Sequence, residues 1–291
     1  MIPRRSLFLP AEPVATDLKP SIRPRADWAD HTRRARGRLT PENDPSFLLV
    51  HHTESPTPTR RAQVPDAIRG FFDYHTGPKG WPDVAYNFFI DPFGGLWEGR
   101  AGSLAGPVRG DATGGSQGHA ELVCFIGSFT REPPAGRALD AAAALLAWLA
   151  VRDGIDLSAG RTIRFTSRGS NRWPKGSSVT TWPVAGHREM SFTSCPGDAL
   201  FPLLRKRLLP AARKILAATT GSASSSAPPT VMGAPTTSFA SPGPSPDAGT
   251  TSPPEQPFVG PWGVGLGVAG IAAAGGWYLR RRRRTGDRPA S

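Results

Sequence analysis

Phe47-Leu48-Leu49-Val50-His51-His52 is a four-residue apolar run that stops on two adjacent histidines. So short a run, with no helical period of its own, reads as a buried strand. Working outward, Val64, Ile68, Phe71, Phe72 and His75 fall at helical spacing and predict a helix over 64–75. Strands are expected over 84–91 and 96–100, around the turn signal Asp91-Pro92-Phe93-Gly94-Gly95. Residues 122–129 read as a buried strand and 138–151 as an Ala/Leu-rich helix. Residues 198–218 read as an amphipathic helix with Leu200, Leu203, Leu204, Leu208 and Ile215 inward. Strands alternate with helices over 22–218, which predicts an α/β fold with a mixed central β-sheet flanked by helices.

A chain of 291 residues allows one large domain or two small ones. Its 33 Gly and 32 Pro are too many for a wholly packed chain, so part of it is expected to be linker. Two cysteines exclude a disulfide-dense scaffold. The net charge of +12 suits anionic polymers in general. No helix-turn-helix, zinc-finger or RNP-type motif occurs, so no nucleic-acid partner is expected.

The stretch 221–257 holds 9 Pro, 8 Ser, 5 Thr, 5 Ala and 4 Gly. It cannot bury enough apolar surface to offset chain entropy, and 219–257 reads as a linker. Residues 258–279 follow without one charge, and at 1.5 Å per residue such a helix spans ~33 Å, enough for a bilayer core of ~30 Å. Trp262, Trp277 and Tyr278 lie near its ends, and Arg280 to Arg284 follow directly. A transmembrane helix is expected at 258–279, with 280–291 as a basic cytoplasmic tail and the folded part outside. A buried core helix is the alternative, disfavoured by seven Gly in the span. The expected topology needs an export signal. In residues 1–21, Arg4-Arg5-Ser6-Leu7-Phe8-Leu9 resembles a twin-arginine start. Pro10 ends the apolar run after about four residues, where ~7–15 are usual, so the segment reads as a degenerate or truncated signal.

Of the two cysteines, Cys124 lies inside an apolar run and reads as a small buried hydrophobe. Cys195 is different: it follows Thr193-Ser194, precedes Pro196-Gly197-Asp198 at an expected helix start, and stands eight residues after His187. A His and a Cys in one loop, with a further His at a strand end, suit a three-ligand zinc site that keeps its fourth position for water. The alternative is a structural histidine.

Five blocks occur in order: Val50-His51-His52-Thr53, Gly80-Trp81-Pro82-Asp83-Val84-Ala85-Tyr86-Asn87-Phe88, Trp97-Glu98-Gly99-Arg100, Cys124-Phe125-Ile126-Gly127-Ser128-Phe129, and Gly186-His187-Arg188-Glu189 with Thr193-Ser194-Cys195-Pro196-Gly197. Over about 22–210 the chain resembles the peptidoglycan recognition proteins and type-2 zinc N-acetylmuramoyl-L-alanine amidases. The resemblance implies one zinc ion on His51, His187 and Cys195, with Tyr86 and Thr193 as catalytic groups. It implies a peptide groove involving His75, Gly80, Trp81 and Arg100. His52 is expected in the groove or behind the ligands, because adjacent strand side chains diverge. The implied reaction is hydrolysis of the amide between N-acetylmuramic acid and L-alanine. A non-catalytic, receptor-like peptidoglycan binder is the alternative, disfavoured because all ligand positions are filled. The implied partners are muropeptides of the meso-diaminopimelate type, met by a monomer on a bacterial cell membrane, anchored by one pass with its catalytic domain extracytoplasmic. Glu98 is expected to be structural and Glu189 to hold a contact behind the ligands. Residues 155–183 are either a groove wall or a plain surface loop, and 108–119 reads as a mobile loop.

Overall fold

The computed structural model describes residues 18–113 and 118–223. The expected linker from 224 onward, the 258–279 span, the basic tail and residues 1–17 lie outside the described residues. Among the described residues no helix is long and apolar enough to cross a membrane.

A six-stranded sheet orders β1 (Ile22–Arg23), β4 (Leu96–Glu98), β3 (Phe88–Ile90), β5 (Ala120–Phe125), β2 (Phe47–His52) and β8 (Val184–Gly186). All neighbours are parallel except the β3–β4 hairpin. β2 and β5 are buried at every residue, as expected of parallel strands covered on both faces. Side chains alternate across β2. Leu48 and Val50 join Phe88, Val123 and Phe125 in a core with helix α2 (Gly136–Arg152) and the C-terminal helix.

The other face is shared. Helix α1 (Val64–Thr76) brings Val64, Ile68 and Phe72 against Phe89, Trp97 and Cys124. An antiparallel hairpin of β6 (Ile163–Thr166) and β7 (Ser178–Thr181) covers Phe47, Leu49 and Leu122. Tyr86 packs against both clusters. A seam therefore opens between α1 and the hairpin, above the carboxyl ends of the parallel strands. This is where open α/β sheets place their ligands.

The mixed α/β architecture agrees with the sequence reading, and several boundaries differ for local reasons. The strand expected over 84–91 is regular only at Phe88–Ile90, because side-chain bonds pull 83–87 into a loop. Asp83 accepts from Arg25 Nη2 (2.8 Å), Val84 N (2.7 Å) and Ala101 N (2.9 Å). Asn87 Oδ1 accepts from Leu122 N (2.8 Å), and its Nδ2 donates to Ser103 Oγ (3.0 Å) and the Val108 carbonyl (2.6 Å). The strand expected over 122–129 runs from Ala120 to Phe125. The helix expected over 198–218 starts at Phe201, as α4 (Phe201–Leu203). It passes through a π turn at Leu204–Leu208 and continues as α5 (Leu209–Ala223). Cys195 is consequently in a loop six residues before that helix, and its chemistry is not set by a helix N-terminus.

Candidate metal centre

The register of the sheet pairs His51 with Cys124 of β5. The alternation of β2 then aims His51 into the seam and His52 to the opposite face. The short helix α3 (His187–Met190) begins directly after β8, which is paired to β2, so His187 is delivered beside His51 with ring centroids 4.5 Å apart. The following loop returns Cys195 beneath both. Its sulfur lies 3.7 Å from His51 Nδ1, and donor atoms of His51, His187 and Cys195 all lie within 4.8 Å of one another. A tetrahedral zinc with bonds of ~2.0–2.3 Å needs ligand atoms ~3.5 Å apart, so this donor set fits the ion with small movements. Two imidazoles and a thiol without a carboxylate are the ligand chemistry of zinc rather than of calcium or magnesium.

Burial sets the protonation states. It pushes His51 well below its ordinary value and His187 to about 4, so both are neutral ligands at pH 7. It pushes the Cys195 thiol up to about 12, opposed by the His52 backbone N–H, which donates to the sulfur at 3.4 Å. A dicationic partner favours the thiolate, and that N–H is already placed to bond it.

Behind the ligands stand residues that orient them. Thr113 Oγ1 lies 3.4 Å from His51 Nε2, which leaves Nδ1 for the centre. Glu189 Oε2 accepts from Gly186 N at 2.8 Å and its other oxygen pairs with Arg205, bracing the start of α3. This is the contact expected of Glu189. Glu98 is structural as expected, accepting from Arg25 N and Leu104 N, both at 3.1 Å. Thr193 Oγ1 accepts from Cys195 N (3.2 Å), which turns its hydroxyl oxygen toward the ligand loop and leaves its proton to donate.

Tyr86 lies on the other side of His51, with ring centroids 5.1 Å apart. Desolvation, with the Cys124 and Cys195 sulfurs nearby, raises its hydroxyl well above the ordinary value, so it stays a proton donor. A Cβ at Gly99 would run into the Tyr86 carbonyl, so a residue without a side chain is required in the Glu98-Gly99-Arg100 turn. Ring contacts continue from Tyr86 to His75 (5.7 Å) and from His75 to Trp81 (5.0 Å). His75 Nδ1 accepts from Ala85 N at 3.2 Å. Gly80 has φ +64, the left-handed region that glycine tolerates, and turns the chain into Trp81.

The structure thus gathers His51, His187, Cys195, Tyr86, Thr193, His75, Gly80 and Trp81 around one seam. His52 is apart: 3% exposed on the opposite face, its Nδ1 accepts from Phe129 N at 3.2 Å. Arg100 is 2% exposed, donates to the Val84 carbonyl at 3.1 Å, and sits 2.6 Å from an Asp111 oxygen. Thr113 and Asp111 had no sequence signal, since both fall in a Gly-rich stretch without period.

Residues 41–198 match the N-acetylmuramoyl-L-alanine amidase family. The human N-acetylmuramoyl-L-alanine amidase is 31% identical over 188 residues, 64% of this chain and 28% of that protein. Mouse peptidoglycan recognition protein 1 is 29% identical over 185 residues, 63% of this chain and 86% of that one. The chain thus spans under a third of the length of the curated amidase it matches. Among solved structures, Drosophila peptidoglycan recognition protein SD shares the fold with TM-score 0.51 at 22% identity, covering 65% of this chain and 95% of that one. Peptidoglycan recognition protein LE, in complex with tracheal cytotoxin, a monomeric diaminopimelic acid-type peptidoglycan, gives 0.50 at 24%, covering 64% and 92%.

The histidines carry a pH dependence. His52, His75 and His187 are each held at about 4, first by burial, against an ordinary 6.5. Between those values the unfolded chain binds more protons than the folded one. The stability is therefore complete above pH 6.5 and is lost as pH falls through about 4. Thermal melting of metal-free protein from pH 8 to pH 4 is expected to be level and then to fall below 6.5. A melting temperature constant down to pH 4 contradicts the burial of these imidazoles.

Proposed function

The chain belongs to the N-acetylmuramoyl-L-alanine amidase family, and from that premise we propose that it hydrolyses the amide joining the lactyl group of N-acetylmuramic acid to L-alanine in peptidoglycan. The observation that carries this reading is the convergence of His51, His187 and Cys195 within 4.8 Å, beside the protonated hydroxyl of Tyr86. Zinc, when bound there, supplies Lewis acidity that polarises a carbonyl and acidifies a water. The chain's own groups do the rest. Tyr86 donates its O–H to the carbonyl oxygen as negative charge builds on it, and the Thr193 hydroxyl is a second donor from the opposite wall. Thr113 meets the Nε2 side of the His51 ring and helps to orient it. Two neutral imidazoles leave a bound dication under-neutralised, which favours an electron-rich transition state.

Cys195→Ser is expected to lose most bound zinc and nearly all amide hydrolysis. Tyr86→Phe is expected to keep the metal while kcat falls ~10²–10³-fold, the usual loss of one oxyanion donor. Metal content per chain and release of L-alanyl peptides from muropeptides measure both. Full activity in Cys195→Ser rules out the centre. A wild-type chain that binds muropeptide and releases nothing favours the receptor-like reading.

Arg100 supports a peptide preference. Its contact with Asp111 is close but poorly aligned for hydrogen bonding, and Arg100 Nε is buried without an acceptor among the described residues. An incoming carboxylate can complete that guanidinium fork; the diaminopimelate residue carries one and lysine does not. An unfilled buried donor costs about 1–3 kcal/mol, so the preference is expected to be ~10–100-fold in kcat/KM. Arg100→Ala is expected to erase it, and Asp111→Asn, which removes a competing carboxylate, to strengthen binding of the diaminopimelate type. Equal kcat/KM on both peptide types in the wild type removes Arg100 from this role.

The reading extends to location. The uncharged span 258–279, followed by Arg280 to Arg284, supports a single membrane pass with the amidase domain outside a bacterial cell, where it would act as a monomer. Residues 1–21 would act in export and 219–257 as the spacer. Protease added to intact spheroplasts is expected to release the domain by cutting within 221–257. A fully protected domain contradicts this topology.

A further inference from the structure

Residues 155–183 contain the β6–β7 hairpin, and the tip of that hairpin does more than cover the sheet. Four consecutive side chains, Ser170 to Trp173, bond to the main chain of 188–192. Ser170 Oγ donates to the Met190 carbonyl (2.7 Å), Trp173 Nε1 to the Glu189 carbonyl (2.8 Å), and Arg172 to the Arg188 carbonyl. Asn171 accepts from Phe192 N (2.8 Å) and donates to the Phe192 carbonyl (3.4 Å). The segment leading from His187 to Cys195 is thereby held from outside. Phe192 is fixed through both its backbone groups, yet its ring is 70% exposed. Only Tyr74 and Phe192 are exposed large hydrophobic residues among the described residues. An aromatic ring left facing solvent on a firmly bonded backbone is an expensive way to end a loop, unless something lies on it.

Beside the ring is an open cavity of about 580 Å³ whose walls include Arg172, Arg188, Ser191, Phe192, Thr193 and Ser194. That volume is in the range of small-molecule sites. It adjoins the ligand loop at Thr193, whose oxygen accepts from Cys195 N. The Arg172 guanidinium lies 5.9 Å from the Phe192 ring and 5.4 Å from that of Trp173. The carboxylates nearby are already engaged, Asp198 with Arg188 at 2.7 Å and Glu189 with Arg205. The wall therefore offers an aromatic face, hydroxyls and N–H donors, and each of its two carboxylates is paired with an arginine. That chemistry suits a pyranose ring, whose C–H face lies on an arene while its hydroxyl and acetamido oxygens accept hydrogen bonds.

The position agrees with the substrate. Ring contacts run in sequence from Tyr74 through His75, Tyr86 and His51 to His187. The peptide corner, with Trp81 and Arg100, lies at the Tyr86 end, and Phe192 belongs to the segment that joins His187, at the other end, to Cys195. The scissile amide has the peptide on its amine side and the sugar on its acyl side. We infer that Phe192 and Arg172, held by the Ser170–Trp173 brace, form a subsite for the N-acetylated glycan strand of the substrate. This inference rests on the amidase reading for its direction along the groove, and on the cavity and brace for its existence.

The full chain is titrated with peptide-free glycan strands, and binding is followed by tryptophan fluorescence and calorimetry, with inorganic polyphosphate as the anionic control. Wild type is expected to bind the strands, Phe192→Ala to bind them at least ~10-fold more weakly, and Phe192→Trp to retain binding, all with unchanged metal content and melting temperature. In hydrolysis, Phe192→Ala is expected to lose kcat/KM on disaccharide-peptides, mainly through KM, while a sugar-free lactyl-peptide is cut as by wild type. The subsite is overturned if wild type binds polyphosphate but not glycan, if Phe192→Ala binds glycan as wild type does, or if both substrates suffer equally. Glycan binding without peptide release refutes the amidase reading and keeps the subsite. Peptide release unaffected by Phe192→Ala does the reverse.

Discussion

Strand Phe47–His52 is buried along its whole length, and this places the His51 imidazole where water scarcely reaches it, at 1% exposure. A buried ring nitrogen left without a partner costs about 1–3 kcal/mol. Thr113 meets one nitrogen of His51, and the other faces the Cys195 sulfur, itself a buried thiol forced toward its neutral form. Neutral imidazoles and a thiol packed this closely have few good hydrogen-bond partners in one another. A soft-to-borderline dication satisfies all three donors together, and the same desolvation that disfavours charge without the ion strengthens every interaction with it. The centre follows from running a fully buried parallel strand out to a histidine.

Such a site works only if its ligands cannot drift, and the fold spends much of its polar side-chain bonding on that. The Tyr86 loop is tied by Asp83 and Asn87, and the Glu98-Gly99-Arg100 turn by Glu98. The start of α3 is tied by Glu189 from inside and the segment after it by Ser170 to Trp173 from outside. These groups bond through carboxylates, amides, a hydroxyl, a guanidinium and an indole N–H, yet touch no reacting atom. Their bonds fix the backbone that carries the ligands, on which a metal centre depends as much as on the ligands themselves.

Arg100 shows the other use of burial. A guanidinium with 2% exposure needs a counter-charge, and Asp111 supplies one at 2.6 Å. Because the alignment is poor and Nε has no acceptor among the described residues, the pair leaves bonding capacity for a better-placed carboxylate. In the proposed reading an incoming carboxylate would displace this weak competitor, and discrimination by replacement is sharper than by empty attraction.

The sequence by itself determined what depends on short spacing. The strand-end histidine, the eight residues from His187 to Cys195, the Tyr86 block and the alternation of strands and helices are all local patterns, and the mixed α/β sheet agrees with them. The limits of 83–87 and the start of the last helix were not legible, because Asp83 and Asn87 bond to residues up to 58 positions away and override strand propensity. Thr113, Asp111 and the Ser170–Trp173 brace carry no periodic signal either. Their roles arise only when a Gly-rich stretch and a hairpin tip are folded against β2 and α3. Only tertiary structure decided that His52 turns away from the seam while His51 turns in. The one-residue alternation of a strand gives opposite faces, and which face receives the loops is set by long-range packing.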